Sequence, residues 1–155
     1  MSDSKSQAQP QLLLWRHAEA EDGFPDSARA LTRKGQGQAS RVAQWLRPRL
    51  TEGSRILVSP ARRAQQTAAA LDLPFETEVR IDVQTSVANI LDAAAWPQRK
   101  GMVLVVGHQP TLGRLAAWLL TGTQEEWSVK KGGLWWFAHR GGEIVLRAVI
   151  SPDLL

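Results

Sequence analysis

Short, continuously apolar runs alternate along the chain with longer segments whose apolar positions recur every three or four residues. Gln11-Leu-Leu-Leu-Trp15 is the first run; its lack of polar alternation predicts a strand buried on both faces, ending at the polar pair Arg16-His17. An acidic, proline-bearing loop from Glu19 to Ala28 follows. Thr32 then reads as the cap of a helix that turns Ala39, Val42, Ala43 and Leu46 inward and stops near Pro48. A second strand is expected from Arg55 to Val58. Ser59-Pro60 predicts the N-cap and first position of a helix reaching about Leu71, with Ala61, Ala64, Ala68 and Leu71 on one stripe. Val79 to Val83 reads as a short strand and Ser86 to Ala95 as a helix. Met102-Val-Leu-Val-Val106 is the clearest buried strand; Gly107-His108-Gln109-Pro110 leads from it into a helix with Leu112, Leu115, Ala116 and Leu119 inside and Gly122 as its stop. Leu134 to Ala138 and Glu143 to Ile150 are two further strands, joined by a hairpin over His139-Arg-Gly-Gly142.

This order predicts an α/β domain, a three-layer α/β/α sandwich with a mostly parallel central sheet. Residues 1–10, polar and without period, are expected to be a disordered leader, and 11–155 a single domain, which the length of 155 residues accommodates. The chain has no cysteine, so disulfides, thiolate metal sites and cysteine nucleophiles are excluded. Lysine and arginine exceed the acids by 19 to 15, a formal charge of +4 that favours anionic ligands, with no clustered basic stripe of the kind nucleic-acid binding uses. No apolar stretch approaches the roughly 20 residues of a membrane span, and the polar opening lacks a signal-peptide core. The expectation is a cytoplasmic protein with neither membrane nor nucleic acid as partner. Trp15, Trp45 and Trp118 read as core fillers, and strand alternation puts one ring of Trp135 and Trp136 inside and the other outside.

Open α/β sheets bind ligands beyond the carboxyl ends of their strands, and three polar clusters fall there: Arg16-His17, Ser59-Pro-Ala-Arg62-Arg63 and Gly107-His108. A neutral imidazole nitrogen is a competent nucleophile toward phosphorus, and guanidinium groups clamp phosphoryl oxygens with paired, charge-assisted hydrogen bonds. These are the parts of a phosphotransfer site. Each residue also has a plainer reading, since a lone histidine after a strand is commonly a hydrogen-bonded structural residue and an Arg-Arg pair commonly sits in water. His139, placed in the hairpin turn, keeps that plainer reading. A metal-dependent hydrolase using His17, His108 and a carboxylate is a rival; the arginine beside the would-be ligand and the lack of a helical His-x-x-x-His pair speak against it.

The clusters extend to motifs that resemble those of the histidine phosphatase superfamily. Leu14-Trp15-Arg16-His17-Ala18 is similar to its Arg-His-Gly signature, Leu31-Thr32-x-x-Gly35-x-x-Gln38-Ala39 to its first-helix motif, Ser59-Pro60-x-x-Arg63-Ala64-x-Gln66-Thr67 to its second arginine motif, and Val106-Gly107-His108-Gln109-Pro110 to its second-histidine motif, with Ser151-Pro152 matching near the end. The short length, without an insertion between Thr67 and Met102, resembles the phosphohistidine phosphatases of the SixA type. The resemblance implies a phosphoglycerate mutase-like fold and a metal-independent enzyme without cofactor. It implies that His17 becomes transiently phosphorylated, that Arg16 and Arg63 hold the phosphoryl group, that His108 completes the anion pocket and that Arg29 is a further ligand. Arg62 is expected to face solvent. Ala18 stands where the family commonly has glycine, which bears on the turn after His17. Larger members use a carboxylate as general acid; Glu19, Glu21, Asp22, Glu76 and Glu78 are the possible counterparts, none with a clear claim. That gap favours a phosphoramidate such as phosphohistidine, whose imidazole leaves more readily than an alkoxide. The expected partner is a phosphorylated protein or a small phosphorylated substrate. The alternatives are a small-molecule phosphomonoesterase of the same superfamily and a phosphoprotein-binding module that does not turn over.

Overall fold

The structure is a computed structural model and describes residues 9–155. Ten elements follow one another: β1 (Pro10–Arg16), α1 (Arg33–Leu46), β2 (Arg55–Val58), α2 (Arg62–Ala69), β3 (Glu76–Thr77), α3 (Val87–Ala94), β4 (Gly101–Gly107), α4 (Thr111–Thr121), β5 (Leu134–Arg140) and β6 (Glu143–Ile150). They build a six-stranded sheet of order β3-β2-β4-β1-β5-β6. β3, β2, β4 and β1 run parallel, and β5 and β6 are antiparallel additions. The expected architecture, an α/β fold with a mostly parallel sheet, is the one observed.

The apolar runs explain the layers. Along β1 and β4 side chains alternate between two cores: Leu12, Leu14, Val103 and Val105 pack with Ile90 of α3 and Leu112 and Leu115 of α4. Leu13, Trp15, Leu104 and Val106 pack with Val42, Ala43 and Leu46 of α1 and Ala64 and Ala68 of α2. Strands covered on both faces need no polar alternation, which is why these runs are continuous. Thr32 caps α1 by accepting the Gly35 N–H, and Ser86 caps α3 in the same way through Asn89. Gly122 ends α4 with φ +79°.

Several local expectations are corrected. The leader expected over residues 1–10 lies, for residues 1–8, outside the described residues; Gln9 already accepts the Gly101 N–H and Pro10 opens β1. α2 begins at Arg62 with Ala61 as its N-cap, and the Ser59 hydroxyl, bonded to the Ala61 N–H and His108, lies one turn ahead of it. The strand expected at 79–83 is a 3₁₀ turn over Val79–Ile81, capped by Glu78, and the strand lies just before it at Glu76–Thr77. His139 belongs to β5, not to the turn, and meets the Trp96 ring edge-on; the hairpin turns on Gly141 and Gly142, both at positive φ as a two-residue loop requires. Trp15 is fully buried and Trp136 nearly so, but Trp118 is 37 % exposed, turned away from the inward stripe of α4, and Trp45 is half-buried against Trp136.

Candidate active site

The parallel ladder itself brings the polar clusters together. In register, Trp15 faces Val106, Arg16 faces Gly107 and Val58 faces Val106, so the chain leaves β1, β2 and β4 at the same level of the sheet. The pairing continues one residue further, with His17 N–H donating to the Gly107 carbonyl (3.1 Å) and Ser59 N–H to the Val106 carbonyl (3.1 Å). His17 and His108 thereby meet with ring centroids 5.1 Å apart and planes at 55°. They line a cavity of about 390 Å³ together with Arg16, Arg29 and Arg63. All five residues expected from the sequence therefore surround one cavity. Arg62 is exposed, as expected.

His17 is held on both ring nitrogens. Its Nδ1 lies 2.8 Å from the Ala18 carbonyl, an acceptor only, so Nδ1 carries the proton and Nε2 keeps its lone pair. The Arg63 Nε–H donates to that Nε2 at 3.3 Å. Ala18, fully buried, has no positive φ, so the turn after His17 does not need glycine. Burial in the first place, with the His108, Arg63 and Arg16 charges, holds the His17 imidazole down to about 3 against the raising effect of the Ala18 carbonyl. Burial likewise brings His108 down to about 4, with Arg63 and Arg16 acting in the same direction and Asp26 against it. Both rings are neutral at pH 7.

On His108, Nε2 sits 2.7 Å from Ser59 Oγ. That hydroxyl accepts the Ala61 N–H and keeps its proton and a second lone pair for His108, so either atom can donate between them. With Ser59 O–H as the donor, the proton of the neutral ring sits on Nδ1. Nδ1 is buried without a hydrogen-bond partner among the described residues, and so is Arg16 Nε, although Arg16 is fixed by a donation to the Val129 carbonyl at 2.9 Å.

One carboxylate was missed by the sequence reading. Asp26 lines the cavity and binds Arg63 twice, accepting from its two terminal nitrogens through the backbone carbonyl (2.8 Å) and the carboxylate (3.0 Å). Its other carboxylate oxygen accepts from Arg29 at 3.1 Å, and Arg29 Nε donates to the Glu21 carbonyl at 2.7 Å. The bond to Arg63, then that to Arg29, holds the Asp26 carboxyl below the ordinary carboxylate range. The available signal was Asp26 three residues before Arg29 and directly after Pro25, the start of a one-turn helix with a local ion pair. The five acids considered from sequence are elsewhere: Glu19 accepts from Thr32 (2.8 Å), Glu76 pairs with Arg55, Glu78 with Arg80, and Glu21 and Asp22 are exposed without lining the cavity. Among the described residues, no three His, Asp or Glu side chains gather as a metal site.

Motif residues outside the cavity anchor the loop that carries Asp26 and Arg29. Gln38 accepts the Glu19 N–H (2.9 Å), Gln66 the Leu31 N–H (2.7 Å) and Thr67 the Ala18 N–H (3.0 Å). At Gly35 a β-carbon would lie 2.0 Å from the Glu19 carbonyl oxygen, so only glycine lets the loop cross α1 there.

Residues 12–85 match the family model described as histidine phosphatase superfamily (branch 1). The chain is 35 % identical over 122 residues to the phosphohistidine phosphatase SixA of Escherichia coli, covering 72 % of this chain and 75 % of that one. It is 32 % identical over 122 residues to the SixA homolog of Haemophilus influenzae, covering 68 % and 74 %. Among solved structures, that of the protein histidine phosphatase SixA complexed with tungstate superimposes with a TM-score of 0.79 at 27 % identity, over 93 % of this chain and 98 % of the other. The chain belongs to the histidine phosphatase superfamily. Within it, the relatives and the superposition place it with the SixA type, as an enzyme.

Proposed function

We propose that the protein hydrolyses phosphohistidine on another protein through a covalent phosphohistidine on His17. The observation that carries this is the tautomer of His17: the Ala18 carbonyl fixes the proton on Nδ1, so an unprotonated Nε2 lines an arginine-walled cavity. The names of the relatives, phosphohistidine phosphatases, support the substrate class.

In the first step the Nε2 lone pair attacks phosphorus, the substrate P–N bond breaks with its electron pair going to the leaving nitrogen, and the substrate imidazole, already protonated on its other ring nitrogen, departs neutral. In the second, water attacks the same phosphorus, the P–Nε2 bond breaks, its electron pair returns to His17, and orthophosphate carries the water oxygen away. Phosphoryl transfer asks the protein for positioning and positive charge around the equatorial oxygens. Arg16, Arg63 and the Nδ1–H of His108 supply donors. Arg29, already engaged by Asp26 and Glu21, contributes mainly charge. Asp26 stays ionised and occupied with Arg63, so it is not a proton donor near neutrality. A substrate whose leaving group needs no enzyme acid fits this cavity better than an alkyl phosphate.

The test compares turnover of a phosphohistidine protein with that of p-nitrophenyl phosphate and traps labelled phosphate on the enzyme. Faster release from phosphohistidine, with acid-labile label on His17, is expected. Faster turnover of the ester would select the phosphomonoesterase reading, and binding without release in a single turnover would select the non-hydrolysing module.

A further inference from the structure

The catalytic cavity does not end at its own rim. Lys131 lines it and also lines a neighbouring groove of about 360 Å³, whose other walls include Lys34 and Arg41 of α1 and Lys130. All four cations are exposed. The seven ion pairs among the described residues engage six arginines elsewhere and none of these four, and none of the four side chains donates a hydrogen bond to another described residue. Among the described residues Asp153 is the one carboxylate lining the groove; it is held first by the Ser151 hydroxyl and feels the charge of Lys130.

Two features give this charge a fixed position. Lys130 and Lys131 lie on a turn stitched to the nucleophile strand: Gly132 N–H donates to the His17 carbonyl (3.1 Å), Trp15 Nε1 to the Gly132 carbonyl (3.0 Å) and Arg16 N–H to the Gly133 carbonyl (3.0 Å). Gly132, at φ +72°, disfavours a side chain, which would be strained there and would crowd Pro152 at 3.0 Å and Gln38 at 3.3 Å. Lys34, for its part, sits with Arg33 in the first turn of α1, where no acid accompanies them. Cations at a helix N-terminus oppose the macrodipole, so local helix stability does not account for them.

We propose that this groove docks the protein that carries the phosphohistidine, by an acidic face flanking the modified residue. The inference rests on the function proposed above and adds the partner's chemistry. Four cations without a close ion pair among the described residues, two on a turn bonded to His17 and two on a neighbouring helix, match a row of carboxylates beside a phosphoryl group inserted in the cavity. Exposed charges of this kind act mainly on encounter and on partner choice, and salt screens them.

The probes are two synthetic peptides, identical except that four residues around one phosphohistidine are Glu in one and Gln in the other. The native protein should show a kcat/KM at least tenfold higher for the Glu peptide, a preference that fades from 50 to 500 mM salt. The doubly substituted Lys34→Glu, Arg41→Glu protein should lose that preference while hydrolysing phosphoramidate at the native rate. Equal use of the two peptides by the native protein, or a preference that survives the substitutions, overturns the proposal. If neither peptide is hydrolysed, the reading of function fails on its own. Fluorescence anisotropy with the unphosphorylated peptides then decides the docking: a Glu preference abolished by the substitutions upholds it, and equal binding overturns it. Tighter binding of single-stranded RNA than of the Glu peptide would likewise overturn it.

Discussion

The two halves of the cavity are built differently. On the side of the loop after β1, His17 is bonded through both ring nitrogens and Arg63 through all three of its nitrogens, to His17 and to Asp26. In the other half, Arg16 Nε at the end of β1 and His108 Nδ1 just after β4 are buried and have no hydrogen-bond partner among the described residues. Interiors pair nearly all their buried polar atoms, because leaving one unmade costs about 1–3 kcal/mol. The difference separates two tasks. The bonded half fixes the direction of the nucleophile's lone pair before substrate arrives, and the unpaired half keeps donor capacity for the oxygens of an anion.

The largest effect expected is on the bonded half. His17→Ala should lower turnover of phosphohistidine by a factor on the order of 1,000 or more and remove the trapped label, since the unprotonated His17 Nε2 is the assigned nucleophile of the cavity. Retained turnover would break the assignment. In the unpaired half, Arg16→Ala and His108→Ala should each cost about 100-fold, the usual scale for a lost electrostatic donor, and should weaken inhibition by tungstate or orthophosphate in parallel. If Arg16→Ala and His108→Ala leave inhibition by the oxyanion unchanged, the division between the halves is wrong.

A third measurement addresses what both halves share, the burial of neutral imidazoles. Their folded values, about 3 for His17 and about 4 for His108, lie below the ordinary histidine value. Below pH 6.5 the unfolded chain binds protons that the native one refuses, so stability falls as pH falls, until the folded values are passed. Between pH 6.5 and 5 the loss is up to about 2 kcal/mol for each ring. Urea unfolding at pH 7 and pH 5 should show it, and a His17→Gln, His108→Gln protein should be nearly level over that range. Equal stability of the native protein at the two pH values would mean that the rings are more open to water than their packing indicates.

The same contrast governs what could be read from the sequence. Arg16, His17, Arg63 and His108 were legible because each follows a continuous apolar run or lies in the helix just after one, and strand ends in an open α/β sheet converge. The convergence distance was not legible, since it depends on register between strands up to ninety residues apart. Asp26 was missed because its role arises from a contact with Arg63, 37 residues away, while its immediate neighbours are those of an ordinary surface turn. The start of α2 was misplaced by two residues: Ser59-Pro60 is a local capping signal, and its hydroxyl does accept the Ala61 N–H, but it also serves a tertiary partner, His108, and the helix starts only at Arg62. Local pattern predicts elements until a side chain has a better partner at long range.

Ser59 gives the finest test of the two-task division, because it belongs to neither half yet sets the proton of one. Its hydroxyl accepts the Ala61 N–H and lies 2.7 Å from His108 Nε2; with that hydroxyl as the donor, removing it frees the His108 ring to carry its proton on either nitrogen. A hydrogen bond of this kind has a net worth of about 0.5–1.5 kcal/mol, which corresponds to a rate loss of up to about tenfold. Ser59→Ala should lower kcat by that amount with KM little changed, and Ser59→Thr, which keeps the hydroxyl, should restore most of it. A merely structural role would instead lower stability without changing the tautomer. Nitrogen NMR of His108 distinguishes the two: the native ring should carry its proton on Nδ1, and the Ser59→Ala ring should show a mixture. An unchanged tautomer together with an unchanged kcat would show that the proton on His108 is set by the cavity itself and not by Ser59.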